Sequence, residues 1–193
     1  MKPLRYILLL LAFGCQNKDN PVETPTALEP IVPLKIGNQW FFQLSYFDTS
    51  GNVLLTTTDS FKVFRDSTIA NEQWFVMSYY GGSTLVCTNR KDGFWSFERD
   101  SQYLILKYPA TPNEIYPTID ATARFVSSEA VLTVPKGTFT CYKYEHAWTR
   151  LNGFKSYSYW KPGIGFVRVE IASNAGGKPY IWGALDLADY SLQ

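Results

Sequence analysis

What most constrains this chain is a two-residue alternation of apolar side chains, cut at intervals by turn residues. In residues 39–46, Trp40, Phe42, Leu44 and Tyr46 take every second position, with Gln39, Gln43 and Ser45 between them. Val167, Val169 and Ile171 alternate in the same way with Arg168 and Glu170. A period of two marks a strand with one buried face. No stretch after residue 34 carries a helical period.

Turn chemistry supplies the connectivity. Gly81-Gly82 separates two strand-like stretches, residues 74–80 and 83–88, and Asn152-Gly153 separates residues 142–149 and 154–160. Both dipeptides tolerate positive φ, so each predicts a two-residue hairpin. Ser50-Gly51-Asn52, Lys91-Asp92-Gly93, Pro135-Lys136-Gly137 and Asn174-Ala175-Gly176-Gly177 are further turns between strand candidates. The chain thus predicts about ten or eleven strands in sequential hairpins. Residues 108–122, with Pro109, Pro112 and Pro117, are expected to be the one long irregular connection.

A meander of that length cannot stay flat, because strand twist accumulates until the sheet curls, splits or closes. The expected fold class is all-β, a single antiparallel sheet curved into a half-barrel or barrel, with a β-sandwich as the fallback. Aromatic residues make up 17% of the chain, 13 Tyr, 13 Phe and 6 Trp, which suits half-buried pleated surfaces. They are too dispersed to form the two interfacial girdles of a lipid-facing barrel.

The N-terminus reads differently. Lys2 and Arg5 precede an apolar run from Tyr6 to Phe13 that ends at Gly14-Cys15. At about eight residues the run is far short of the roughly 20 that a spanning helix needs. This is the layout of a secretory signal. Ala12-Phe13-Gly14-Cys15 resembles the lipobox of bacterial lipoproteins. The resemblance implies cleavage before Cys15, diacylation of its thiol and acylation of the new amino terminus. Residues 1–14 are then the signal peptide, and residues 15–33, which hold Pro21, Pro25, Pro30 and Pro33, are a semi-stiff tether. Residues 34–193 are one domain, large enough to bury a core. Gln16 does not resemble the aspartate that retains such proteins at the inner membrane, so the outer membrane is expected, on either its periplasmic or its outer face.

Three further stretches carry a second resemblance: residues 33–40 (PLKIGNQW), 134–144 (VPKGTFTCYKY) and 159–170 (YWKPGIGFVRVE). Together they resemble a group of bacterial lipoprotein domains with no established activity. A looser likeness of fold is to the half-barrels that carry lipids or lipoproteins across the periplasm.

Charge and residue types exclude several functions. The chain has 18 Lys and Arg against 17 Asp and Glu, and residues 1–14 hold two of the cations and no acid. A near-neutral domain offers no footprint for nucleic acid. The chain's one histidine, His146, excludes a multi-histidine metal site. Its strand puts it on a face with Tyr142, Tyr144 and Trp148, where a hydrogen-bonded structural role is expected. No nucleophile elbow, phosphate loop or dinucleotide fingerprint occurs. Glu98, Asp100, Glu129, Glu145 and Glu170 could pair as glycosidase carboxylates, but any β domain with this many acids offers such pairs. Trp160-Lys161-Pro162-Gly163 is read first as a rigid bend and second as the rim of a pocket. Cys87 and Cys141 are either a disulfide, permitted in an exported protein, or two buried thiols.

The functional expectation is a non-catalytic envelope lipoprotein with no metal and no cofactor, held to the membrane by its N-terminal lipid. Its leading form is a binding module for an apolar, glycan or peptide ligand. The alternative is an assembly accessory of an envelope protein complex, docking through an exposed strand edge or the loop at 108–122. A hydrolase ranks last. An open concave face favours the first, a filled one the second.

Overall fold

The computed structural model of the protein describes residues 28–174 and 177–193, so the signal segment and Cys15 lie outside the described residues. Twelve strands follow in chain order: β1 (Gln39–Phe47), β2 (Val53–Ile69), β3 (Glu72–Tyr79), β4 (Ser83–Arg90), β5 (Gly93–Glu98), β6 (Ser101–Lys107), β7 (Ile115–Thr118), β8 (Ala121–Val134), β9 (Gly137–Trp148), β10 (Phe154–Lys161), β11 (Gly165–Ser173) and β12 (Tyr180–Ser191). They form one antiparallel sheet in the order β6-β5-β4-β3-β2-β1-β12-β11-β10-β9-β8-β7. The sheet curls into a nearly closed barrel, as the length of the meander requires. The first and last strands pair at its centre, Gln39 opposite Ser191 and Tyr46 opposite Gly183. Its two edges, β6 and β7, are neighbours in the chain.

The two strongest hairpins are present, with longer loops than expected. Tyr79 pairs with Ser83 and Trp148 with Phe154, so the loops hold residues 80–82 and 149–153. The second is lengthened because it is tied down elsewhere. Thr149 N–H donates to the Asp120 carbonyl at 3.0 Å, and Arg150 pairs with the Asp120 carboxylate at 2.9 Å. Asn152 and Gly153 then complete the reversal at φ of 51° and 75°.

The connection at 108–122 is not wholly irregular, because β7 lies inside it. Pro117 is tolerated there since β7 pairs only with β8, among the described residues, and a strand edge needs no donor on its free side. The tether boundary also moves. Ile31 and Val32, assigned from their flanking prolines to residues 15–33, are 1% and 0% exposed. The Pro30 carbonyl accepts from Gly163 N–H at 2.9 Å, and the Val32 carbonyl accepts from Asn89 Nδ2 at 2.7 Å. The segment thus runs from the β10–β11 turn to β4 and closes the barrel end from which β1 starts.

Inside, Phe166 is the hub. The rings of Trp40, Phe42, Phe61, Phe94 and Trp160 lie 4.3–6.5 Å from it, brought by four strands from around the barrel. Trp40 sends its indole N–H to the Ile164 carbonyl at 2.6 Å, satisfying the one polar atom of a fully buried side chain. The β8–β9 hairpin bends at two irregularities of β8 and lays its tip on β12. There Lys136 N–H donates to the Leu187 carbonyl at 2.9 Å, beyond the last β11 partner of β12, Asp186.

Candidate functional site

The packed rings leave the middle of the barrel filled with side chains. The two clefts of note open at its surface. One, of about 390 Å³, lies beside the N-terminal segment, between Glu29, Ile31, Arg90 and Tyr108. Of its two cations, Arg90 and Lys91, the first is already committed: Arg90 forms an ion pair with Glu72, donates to Gln102 at 2.8 Å and lies over the rings of Trp74 and Trp95. The other cleft, of about 510 Å³, lies between the β1–β2 turn and the start of β12.

The residues expected to carry chemistry are placed as structure. Ser158 Oγ lies 2.7 Å from His146 Nε2, a serine–histidine contact that the sequence does not reveal. Ser158 is 3% exposed and also accepts the indole N–H of Trp160 at 2.8 Å. Burial lowers the His146 pKa to about 4, which keeps the imidazole neutral as a partner for the serine hydroxyl. Neither residue lines either cleft.

Two carboxylates, Glu170 and Asp186, share Arg168 at 3.7 and 2.7 Å, and Glu170 lines the second cleft with it. Glu145, nearly buried on the outer face, is held at 3.1 Å by both Arg124 and Lys155 and accepts from the Tyr157 hydroxyl at 3.2 Å. Burial pushes its pKa up, but the two cations outweigh it and hold the carboxyl below its ordinary value. Glu170 accepts the Tyr157 backbone N–H at 3.0 Å, where β10 and β11 have stopped pairing. Burial raises its pKa, and raises that of Asp186 as well, although Arg168 bonds Asp186 at 2.7 Å. Glu98 pairs with its neighbour Arg99 at 3.2 Å. No three His, Cys, Asp or Glu side chains gather to hold a metal among the described residues.

Cys87 and Cys141 are free and buried, as in the two-thiol reading of the sequence. They sit on β4 and β9, which six strands separate in the sheet, and both face the core. Trp160 is 4% exposed and Gly163 clasps Pro30, so residues 160–163 form a clasp instead of a rim.

The exposed feature is an edge. β1 covers one side of β2 from Val53 to Lys62, whereas β3 covers the other only from Lys62 onward. Residues 53–58, Val-Leu-Leu-Thr-Thr-Thr, are all exposed, with Val53 at 59%, Leu54 at 69% and Leu55 at 57%. Lys62 N–H points at Ser78 of β3, at 2.9 Å, while Val63 N–H points at Asn38, also at 2.9 Å. Alternation therefore turns the backbone N–H and C=O groups of Thr56 and Thr58 away from β1, up to the register shift at Leu54, which falls between the Tyr46–Leu55 and Phe47–Val53 pairs. No strand takes them up among the described residues. The free stretch ends at Asp59, whose carboxylate accepts Gly81 N–H at 3.2 Å. Sequence reasoning missed this edge because six apolar and threonine residues in a row show no alternation.

No protein-family model matches the chain, and no curated protein matches it. Two crystal structures are similar to it. One is of a Bacteroides fragilis protein described as exported and of YmcC-like fold, with 16% identity and a TM-score of 0.53, covering 86% of this chain and 100% of that one. The other is of a Parabacteroides distasonis protein described as a lipoprotein, with 14% identity and a TM-score of 0.50, at the same coverage. At these identities the likeness is one of fold.

Proposed function

We propose that the protein is an envelope lipoprotein, held at the outer membrane by acyl chains on Cys15, that serves as a non-catalytic docking accessory of an envelope assembly. The observation that carries the docking role is the open edge of residues 53–58, set against an interior already filled by Phe166 and the rings around it. A curved sheet with no empty chamber at its middle has little to offer a buried ligand. An uncharged strand edge readily accepts another strand and is a liability unless covered. Support for the envelope location comes from the lipobox-like Cys15 and from the descriptions of the two similar structures.

Native electrophoresis of detergent-solubilised envelopes tests the docking role. The full chain should run in a particle larger than a monomer. Thr56→Pro, which removes an edge N–H without touching the β1 ladder, should return it to monomer size. A wild-type chain already at monomer size refutes the docking role. Labelled palmitate on the wild type and none on Cys15→Ser tests the anchor separately.

A further inference from the structure

We infer that the end of the barrel at which β1 starts lies against the bilayer, with Leu28, Ile36 and Phe64 sunk into its surface. The inference rests on the anchor at Cys15 proposed above and names the face of the domain that the anchor holds to the lipid. The segment that closes this end buries Ile31 and Val32, yet Leu28 at its start and Ile36 at its finish are exposed. Gly37 N–H then donates to the Val63 carbonyl at 2.8 Å, and Val63 N–H to the Asn38 carbonyl at 2.9 Å. Phe64 follows Val63 directly, is exposed as well, and so lies at the same end.

The chain that reaches this end singles out the bilayer as its occupant. Residues 15–27 join Cys15 to Leu28, and a stretch of that length spans at most about 45 Å. β1, at nine residues, is itself roughly 30 Å of strand. The end carrying Leu28 therefore stays within reach of the acyl chains, whereas the opposite end meets the surface only if the segment runs back along the barrel. Confinement to so thin a layer gives a high effective concentration, at which a small apolar footprint is enough to hold the domain. The closing segment adds Glu29 and Lys35, one charge of each sign, so no net charge opposes the contact or demands an anionic lipid. Burial of apolar side chains at the interface then decides which end faces the lipid.

This orientation also places the open edge of β2. Val53 and Val63 stand ten positions apart on that strand, roughly 33 Å measured along it. Residues 53–58 are thus at the far end of the barrel, clear of the lipid, and a partner strand reaches them from the aqueous side.

Fluorescence quenching on the full lipidated chain tests the orientation, with the protein inserted into the outer leaflet of preformed vesicles of phosphatidylethanolamine and phosphatidylglycerol. Nitrobenzoxadiazole is attached in turn to Leu28→Cys, Ile36→Cys, Phe64→Cys and Leu54→Cys, all exposed positions. The native Cys87 and Cys141 are buried and give no background. At positions 28, 36 and 64 the emission should be lost to nitroxide-bearing acyl chains and spared by iodide in the water. At position 54 the pattern should reverse. Iodide quenching at 28, 36 and 64 equal to that at 54, on a chain that carries palmitate, overturns the inference and leaves the anchor standing. Acyl-chain quenching as strong at 54 as at 36 overturns it too. A chain that takes up no palmitate at Cys15 removes the anchor and the inference together.

Discussion

The hydroxyl of Tyr144, on β9, donates to the carbonyl of Lys107, the last residue of β6, at 2.8 Å. Tyr116, on β7, accepts the N–H of the same residue at 3.1 Å, and the Lys107 ammonium pairs with Glu114. The seam between the two edge strands is thus held at this end by side chains bonding one residue's backbone groups.

Removing either hydroxyl leaves a part-buried backbone group of Lys107 unpaired, which costs roughly 1–3 kcal/mol. Tyr116→Phe and Tyr144→Phe should each lower the urea midpoint, and amide exchange at Lys107 should quicken in Tyr116→Phe. If both variants match wild type in midpoint and exchange, the seam is not held by these bonds.

The plug makes a second prediction. Ile31→Ala should destabilise the domain by about 2–5 kcal/mol, the range for an aliphatic side chain cut back in a core. A chain starting at residue 34 should melt well below one starting at residue 28. Equal melting of the two would show that Ile31 and Val32 add nothing.

His146 links stability to acidity. Its folded pKa of about 4 lies below the ordinary value of 6.5, so between those values the unfolded chain takes a proton that the folded one refuses. Stability is therefore lost as pH falls through that window, by roughly 2–3 kcal/mol for this group. Chemical denaturation from pH 7 to 4 should show a steeper loss for wild type than for His146→Gln. Parallel curves would contradict it.

Glu170 works in the opposite sense. Burial raises its folded pKa, so the charged form is the disfavoured one, and the penalty is present once pH exceeds the folded pKa. Glu170→Gln keeps an oxygen for Tyr157 N–H and drops the charge. Its melting temperature at pH 8 should be at or above that of wild type, and the difference should shrink in acid. A clear loss at pH 8 would mean that the pairing with Arg168 outweighs burial.

Burial pushes the Cys141 thiol up to about 11 and the Cys87 thiol higher still, so neither offers thiolate at neutral pH. Iodoacetamide should leave both untouched in the folded protein and alkylate both in urea without any reductant. A bridge would block the second reaction.

The parts of the fold written in short-range pattern were readable from the chain. Trp40, Phe42 and Leu44 alternate inward as their spacing predicts, and Gly81-Gly82 and Asn152-Gly153 mark two of the reversals. What escaped depends on tertiary context. Ile31 and Val32 lie among prolines whose composition matches a spacer, and only the end of the barrel gives them a place to bury. Pro117 argues against a strand unless that strand is an edge, and edges are set by the whole sheet order. Tyr144 and Lys107 meet across 37 positions of sequence. The open stretch of β2 arises because β3 starts its pairing at Lys62, a fact of relative strand length that Val53 and Leu54 do not carry themselves.

The meeting of β1 and β12 at the centre of the sheet also decides how the domain bears load. A pull on the N-terminal segment must first draw Ile31 and Val32 from the core and then slide β1 lengthwise between β2 and β12. Both ladders along β1 would have to shear together, instead of opening one bond at a time as at a free edge. A domain tugged by its tether thus meets the force with its most doubly supported strand, and its mechanical lifetime is set by the slow unfolding of its middle.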